Sequence, residues 1–435
     1  MATDSKKPLL SGRDQRRKKR AKQLSKRAKA VPAKHFLDLL PTELLEQVSE
    51  ESQVNRQVKH LEGRLMVLLL LQGILKDKDG SLRSLESLYN SPGFEYFSGK
   101  GKHKTRHSSL ADRLANIELS FFERLYAEFL LNVNRVYGKK LEKEFGWLRR
   151  FDSTMVALSA NLSEIGMRVG AKPGKGKGWN QIKFTVGLQG LIPTSARVFH
   201  EQTHLSEERA LLQVIEESKV EKGEVAVFDM GLKSRKTFKQ FAQQGLLFVT
   251  RLKSPRYEVV GEHKNIKGRH HGQLSFLSDQ IIHLYKSGDG PVMTEVEYRL
   301  ITAVCITGDN VGKTYYFLSN IMDLTAFEIA DIYLKRWDIE IFFRFLKQQI
   351  GLRHLLAYNI NGITAVFYVR LLTATMLQLF FFLNKRKDLG IAKMDFADQL
   401  QWEQFLTMAV LAGADPLKLK QQLGEYQGDI SQNSS

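Results

Sequence analysis

Three acidic residues are set apart by their neighbours. Asp152 follows Phe151 in the apolar, β-branched stretch WLRRFDSTMVALS, and Asp229 closes the apolar run of VAVFDMG. Glu340 lies in YLKRWDIEIFFRFLK, the segment from Tyr333 to Lys347. A lone carboxylate at the end of a buried strand is costly unless it is paired, hydrogen-bonded or metal-bound. Capping the next turn or helix would satisfy either Asp by itself. Together, two strand-end Asp and a helix Glu, with no Cys and few His nearby, suit a hard cation such as Mg²⁺ or Mn²⁺. Two such ions about 3.5–4 Å apart activate a water or a 3′-hydroxyl and stabilise the leaving oxygen of an in-line phosphoryl transfer.

Read as one helix, the Glu340 segment carries an unusual strip. At about 100° per residue, Tyr333, Arg336, Glu340 and Lys347 fall within roughly 60° of one another. A solvated face would look the same, so the strip needs its surroundings to give it meaning. Its helix has a marked start, because Thr325 and Glu328 form a T-x-x-E capping box.

The elements that must position these groups are legible in outline. Residues 35–145 show helical periodicity, with a Gly/Lys-rich break at SGKGKHKTRHSS. Ser108 or Ser109 is the expected N-cap of the helix after the break. Lys102, Lys104 and Arg106 stand at that helix start, where a DNA-docking module needs them, although a bundle with a polar loop fits equally. From Trp147 the pattern turns to strands (WLRRFDSTMVALS, NQIKFTVGL, TSARVFH), then alternates helix and strand through VAVFDMG and LLFVTRLK. That order predicts an α/β class with a mixed sheet. Between 252 and 318 the strand-like pieces YEVV, QLSFL, QIIHLY, TEVEYRLITAVCI and KTYYFLS predict a β-rich insertion. The expected organisation is a basic disordered arm (1–34), a helical domain (35–145), a core (146–251), the insertion (252–318), the core resumed (319–384) and a helical segment with a frayed tail (385–435).

Composition points to the partner. The net charge is +18 over 435 residues. Residues 1–34 hold 13 Lys or Arg against 2 acids, leaving the remainder still basic at +7 (18 − 11). A polyanion, most simply nucleic acid, is the expected partner. The arm has no apolar segment behind it, so it does not read as a targeting peptide. The single cysteine, Cys305, rules out an internal disulfide framework and a Cys-based zinc site. The apolar run Ala365–Leu383 contains Arg370 and Gln378, which favours a buried core helix over a membrane span.

Two motifs are declined. HEQTH at His200–His204 matches H-E-x-x-H, but metalloprotease chemistry needs both His on one face of a formed helix, and these residues end a strand. GDNVGKT at Gly308–Thr314 is one residue short of a phosphate-binding loop and lies between two strand-like pieces, where it reads as a hairpin turn.

The order of DST, D-x-G and Y-x2-R-x3-E-x6-K resembles the DDE transposases of bacterial insertion sequences, in the insertion-sequence-four branch. Tyr333, Arg336, Glu340 and Lys347 match that branch's signature without a gap. The resemblance runs from about Trp147 to Phe382, and the N-terminal portion matches only in general character. It implies an RNase H-like core interrupted by a β-rich insertion and preceded by an all-helical domain. It implies Asp152, Asp229 and Glu340 as the catalytic, metal-binding triad, with Mg²⁺ (or Mn²⁺), two ions per site. Tyr333, Arg336 and Lys347 would hold the phosphate beside the cleavage site. Arg251 matches a DNA-contacting position, with Lys253 on the same face, and Lys175 and Lys177 lie on a Gly/Lys hairpin able to meet phosphate. The family often stacks an insertion-domain Trp on a flipped base. This sequence has no Trp between 252 and 320, which leaves Tyr315, Tyr316 or Trp337 for that role. The implied reaction is cut-and-paste transposition through a nick, a hairpin and strand transfer to target DNA. It would be performed on terminal inverted repeats by a homodimer in the bacterial cytoplasm, at the nucleoid. The alternatives are a non-catalytic DNA-binding derivative and a DNA endonuclease with the same core.

Overall fold

The computed structural model describes residues 30–141, 146–159, 162, 165–170, 179–285, 293–415, 417–419 and 421. Most of the basic arm, Lys175 and Lys177, and the tail beyond 421 lie outside the described residues. The chain divides into two compact units, Pro41–Thr375 and a smaller one made of Met1–Leu40 with Met376–Ser435. In the smaller unit, helix α1 (Ala33–Leu37) is bonded at its start. Val31 N–H donates to Asn384 Oδ1 (2.7 Å) and Ala33 N–H to Gln399 Oε1 (3.0 Å). The last residues of the expected arm are therefore ordered, because Phe36 is buried against Phe380 and Phe396.

The larger unit opens with helices α2 (Thr42–Glu51), α3 (Gly63–Lys76), α4 (Leu82–Tyr89), α5 (Pro92–Ser98), α6 (His107–Asn116) and α7 (Leu119–Leu141). The sequence predicts one helix through α6 and α7, starting behind Ser108 or Ser109. The chain instead bends at Ile117 and Glu118, and α6 begins at His107 with no side-chain cap. Glu86 replaces the serine cap, its Oε2 accepting from both the backbone and the ring of His107 at 2.8 Å.

The sheet comprises β1 (Leu148–Ala157), β2 (Met167–Val169), β3 (Trp179–Gln189), β4 (Ile192–Phe199), β5 (Val225–Phe228), β6 (Leu247–Leu252), β7 (Tyr257–Glu262), β8 (His270–His271), β9 (Leu274–Tyr285), β10 (Met293–Cys305) and β11 (Thr314–Ser319). Antiparallel β4–β3–β1 followed by β5 and β6 running parallel to β1 is an RNase H-like core. The β-rich insertion extends this same sheet: β11 pairs antiparallel with β6, and β10, β9 and β7 follow outward. QLSFL and QIIHLY, read as two pieces, are one strand. A register shift opposite Thr302 and Ala303 leaves Leu277 as an extra, exposed residue in β9. The alternation of buried side chains breaks there, which is why the strand looks divided in sequence.

Alternation along β5 puts Ala226 and Phe228 against one face and Val225 and Val227 against the other. The first face carries α8 (Glu207–Glu217) and α9 (Arg235–Gln243), with Leu211, Phe238 and Phe241. The second carries α10 (Ala326–Leu334), with Ile329 and Tyr333. A sheet buried on both faces explains the unbroken apolar run VAVF. Then come α11 (Trp337–Gln348), α12 (Ile360–Leu383) and α13 (Leu389–Leu411). Helix α12 is long and apolar enough to cross a membrane by length and composition, yet 83% of its most apolar window is buried in the protein. Within it Arg370 donates to the His354 carbonyl at 2.5 Å, and burial lowers its pKa to about 10.

HEQTH folds as a 3-10 turn over Gln202–Leu205 after β4, with His204 stacked on Phe199. GDNVGKT is the exposed connection from β10 to β11, with left-handed Gly308 and Gly312.

Candidate active site

Asp152 lies inside β1, whereas its sequence context predicts a strand end. The strand end belongs to its neighbour: parallel pairing with β5 stops at Phe151 opposite Phe228. Beyond that pair Asp152 has no partner on this side, and Asp229 follows directly after Phe228. Strand β1 faces α11 at the same level. Arg150, two residues before Asp152, is 2% exposed and pairs with Asp338, two residues before Glu340. Its Nη1 lies 2.5 Å from Asp338 Oδ2, and its Nη2 donates to the Gly190 carbonyl. The pair, with Arg150 buried and Asp338 half-exposed, ties helix to strand.

The signature segment is two helices. The bonds Arg336 N–H to Tyr333 O, Asp338 N–H to Lys335 O and Ile339 N–H to Arg336 O span three residues, so a tighter turn separates α10 from α11. The turn draws Tyr333 and Arg336 inward, to 4% and 6% exposure. Tyr333 Oη donates to Asp229 Oδ1 at 3.0 Å. Arg336 Nη2 lies 2.6 Å from Glu340 Oε1, and Nη1 lies 3.8 Å from Asp152 Oδ2. Its guanidinium also sits 5.6 Å from the ring centroids of Tyr333 and Trp337.

The electrostatics follow from burial. Burial pushes Asp152 up to about 7, against the Ser153 N–H bond and Arg336, and the charges of Glu207 and Asp229 push in the same direction. Burial, then Asp229, raises Tyr333 to about 12, so the phenol remains a donor. Burial works against the charge on Arg336, but Tyr333, Asp229 and Glu340 outweigh it and raise its pKa. Lys347 is lowered by burial and then by Arg353.

Asp152, Glu340 and Lys347 open on one cleft of ≈ 370 Å³, together with Arg344, Gln348 and Arg353. Asp229 is not part of its lining and accepts from Tyr333. Among the described residues no three His, Cys, Asp or Glu side chains converge closely enough to hold a metal ion between them. Arg336 supplies the positive charge in this arrangement. The donor set itself, carboxylate oxygens from β1, the end of β5 and α11, fits a hard divalent cation.

The other expected contacts separate. Arg251 is half-buried, stacked over Tyr315 (4.9 Å) and Tyr333 (5.7 Å), so it backs the site from within. Lys253 is exposed just past β6. Tyr315 packs on Phe317 and Tyr316 against the opposite core, so neither offers a free ring. Trp337 is 51% exposed. Arg344 lies outside the Y-x2-R-x3-E-x6-K signature, although the same helical count puts it about 20° from Tyr333, on the strip. Arg353 gives no such signal, because the turn at left-handed Gly351 brings it to the cleft.

A profile of the family described as Transposase DDE domain matches residues 145–377. The inferred transposase y4zB of Sinorhizobium fredii is 27% identical over 166 residues, 38% of this chain and 45% of that protein. The inferred transposase for insertion sequence element IS4SA of Synechocystis sp. is 25% identical over 288 residues, 64% of this chain and 72% of that protein. The chain thus spans less than half of the first relative's length and about seven-tenths of the second's.

Proposed function

The chain belongs to the transposase DDE domain family, and from that premise we propose that it is the DNA transposase of an insertion sequence, working by cut-and-paste. The observation that carries this reading is the convergence of Asp152 and Glu340 on a cleft edged by Lys347, Arg344 and Arg353, with Asp229 just past the end of the strand paired to that of Asp152. Acids are poor company for a phosphodiester unless a cation stands between them, and the family uses divalent metal ions. Asp152, Asp229 and Glu340 would hold two Mg²⁺, or Mn²⁺ in their place. Bound there, the ions supply Lewis acidity to the attacking oxygen and to the leaving oxygen.

The chain's own groups do the positioning. Lys347, Arg344 and Arg353 receive the phosphates flanking the scissile bond, and Arg336 neutralises Asp152 and Glu340 while the cleft is free of DNA. Tyr333 keeps Asp229 oriented through its phenol. Lys253 and Trp337 extend the DNA face outward, Arg251 stiffens it from behind, and Lys175 and Lys177 add phosphate contacts. The reaction proceeds by a nick, a hairpin on the element end, hairpin opening and strand transfer. Terminal inverted repeats are paired by two copies of the chain, working on DNA at the bacterial nucleoid.

A donor plasmid carrying a selectable marker between the element's own ends separates this reading from an endonuclease. Recovery of the marker joined to new target DNA, flanked by a short duplication, is expected. Cleavage of the donor with no joined product would reduce the protein to an endonuclease.

A further inference from the structure

We propose that Lys78 is a positioning residue of the active site: from the helical region it fixes the turn that carries Arg353 to the cleft, so that two parts of the chain build the cleft's basic edge together; this rests on the DNA reading above. The connection between α3 and α4, Asp77–Gly80, is a turn that bonds to itself. Asp77 Oδ1 accepts from Asp79 N–H (3.1 Å), and the Asp77 carbonyl accepts from Gly80 N–H (3.2 Å). Ser81 then opens α4 with a capping box. A turn closed in this way offers Lys78 on a backbone of set shape.

Lys78 meets the core at two atoms. Its Nζ, 3.9 Å from Asp79, donates to the carbonyl of Gln348, the last residue of α11, at 2.7 Å. Its own carbonyl oxygen occupies the place that a Cβ on Gly351 would take. A cation at a helix C-terminus satisfies a carbonyl that the helix leaves open. Gly351, left-handed at φ 74°, starts the turn to Arg353, which closes with His354 N–H on the Gly351 carbonyl at 2.9 Å. Leu352 N–H donates to the Leu346 carbonyl (2.9 Å), tying the turn to α11. Buried Arg370 holds the far side through the His354 carbonyl. Residues 351–354 are thus held between α12 and the Asp77–Gly80 turn. Arg353 stands exposed at the cleft, close enough for its charge to act on Lys347. A second fastening lies elsewhere: Asn361 Nδ2 donates to the carbonyls of Leu114 (3.2 Å) and Ile117 (2.8 Å). Loss of the Lys78 side chain therefore loosens the turn without releasing the helical region.

The test is a double-mutant cycle on the full chain's affinity for an element-end duplex, measured in EDTA so that no metal enters. Arg353→Ala is expected to weaken binding about tenfold and to lower the salt slope by about one, as for a lost phosphate contact. Lys78→Met changes a side chain that is 43% exposed, so the unfolding midpoint should stay near the wild type's. It should weaken binding about fivefold, the size of an ordinary coupling between residues in contact. In the Arg353→Ala background the same change should cost less than about twofold, because the residue through which Lys78 acts is gone. That non-additivity supports the inference, since a general structural defect would weaken both backgrounds alike. Wild-type affinity in Lys78→Met overturns it. So does an equal loss in both backgrounds, which would mean that Lys78 meets a phosphate by itself or acts elsewhere. Wild-type affinity in Arg353→Ala would instead overturn the reading of the basic edge on which the inference rests.

Discussion

Asp152→Asn should make the metal-free protein more stable, by a margin that opens above pH 4, where the unfolded Asp ionises, and is complete once pH passes about 7. Burial raises Asp152 from an ordinary 3.8 to about 7, its side chain being one-fifth exposed. The folded chain thus holds this proton more tightly than the unfolded chain, and ionisation opposes folding. The advantage of the protonated form is complete below pH 4 and is lost as pH rises through 7. A shift of about 3 units at 1.36 kcal/mol each gives about 4 kcal/mol at pH 8, as an upper figure. Asparagine keeps the shape and the acceptor for Ser153 N–H, now 2.8 Å from Oδ1, without the charge. Urea unfolding in EDTA from pH 4 to pH 8 measures the effect. The stability difference between variant and wild type should be near zero at pH 4 and grow to a few kcal/mol by pH 8. A difference that stays flat across this range would refute the burial argument. A site group that destabilises its own fold is the familiar conflict between activity and stability.

Three further outcomes follow from packing. Asp338→Ala takes the carboxylate from the buried Arg150 guanidinium, and because Asp338 is itself 43% exposed the loss in urea unfolding should be about 1–2 kcal/mol; no measurable loss would mean the pair does not hold α11 to β1. Gly351→Ala forces a left-handed residue, φ 74°, to carry a Cβ into the Lys78 carbonyl. It should lower stability by about 2 kcal/mol or more, and a wild-type unfolding midpoint would contradict that packing. Trp337→Ala removes a half-exposed ring, so stability should change by less than about 1 kcal/mol. Affinity for an element-end duplex should fall by about 1–3 kcal/mol, as for a lost base-stacking ring; unchanged affinity would take Trp337 off the DNA face.

Much of this molecule is written locally. The capping box at Thr325 and Glu328 is present as read, both bonds formed, because it needs only four residues to close. Strands such as VAVF announce themselves because both faces of the sheet are covered. What sequence conceals is long-range or depends on a single hydrogen bond. The turn at Lys335–Arg336 shifts bonding from four residues to three, and no residue type there demands it. The continuity of insertion and core depends on β11 choosing β6 as its neighbour, which no local pattern encodes. Asp152 reads as strand-end because apolar residues surround it, whereas the opening beside it comes from the shortness of β5.

The most direct test of the central claim is cleavage of a duplex carrying the element's end, in Mg²⁺, at protein concentrations that saturate binding. Wild type and Glu340→Gln are compared, with binding measured alongside. The account predicts nicked and hairpin products from the wild type and none from Glu340→Gln, with both proteins binding the duplex. Cleavage by Glu340→Gln at the wild-type rate would contradict it, and so would binding without cleavage by either protein in Mg²⁺ or Mn²⁺.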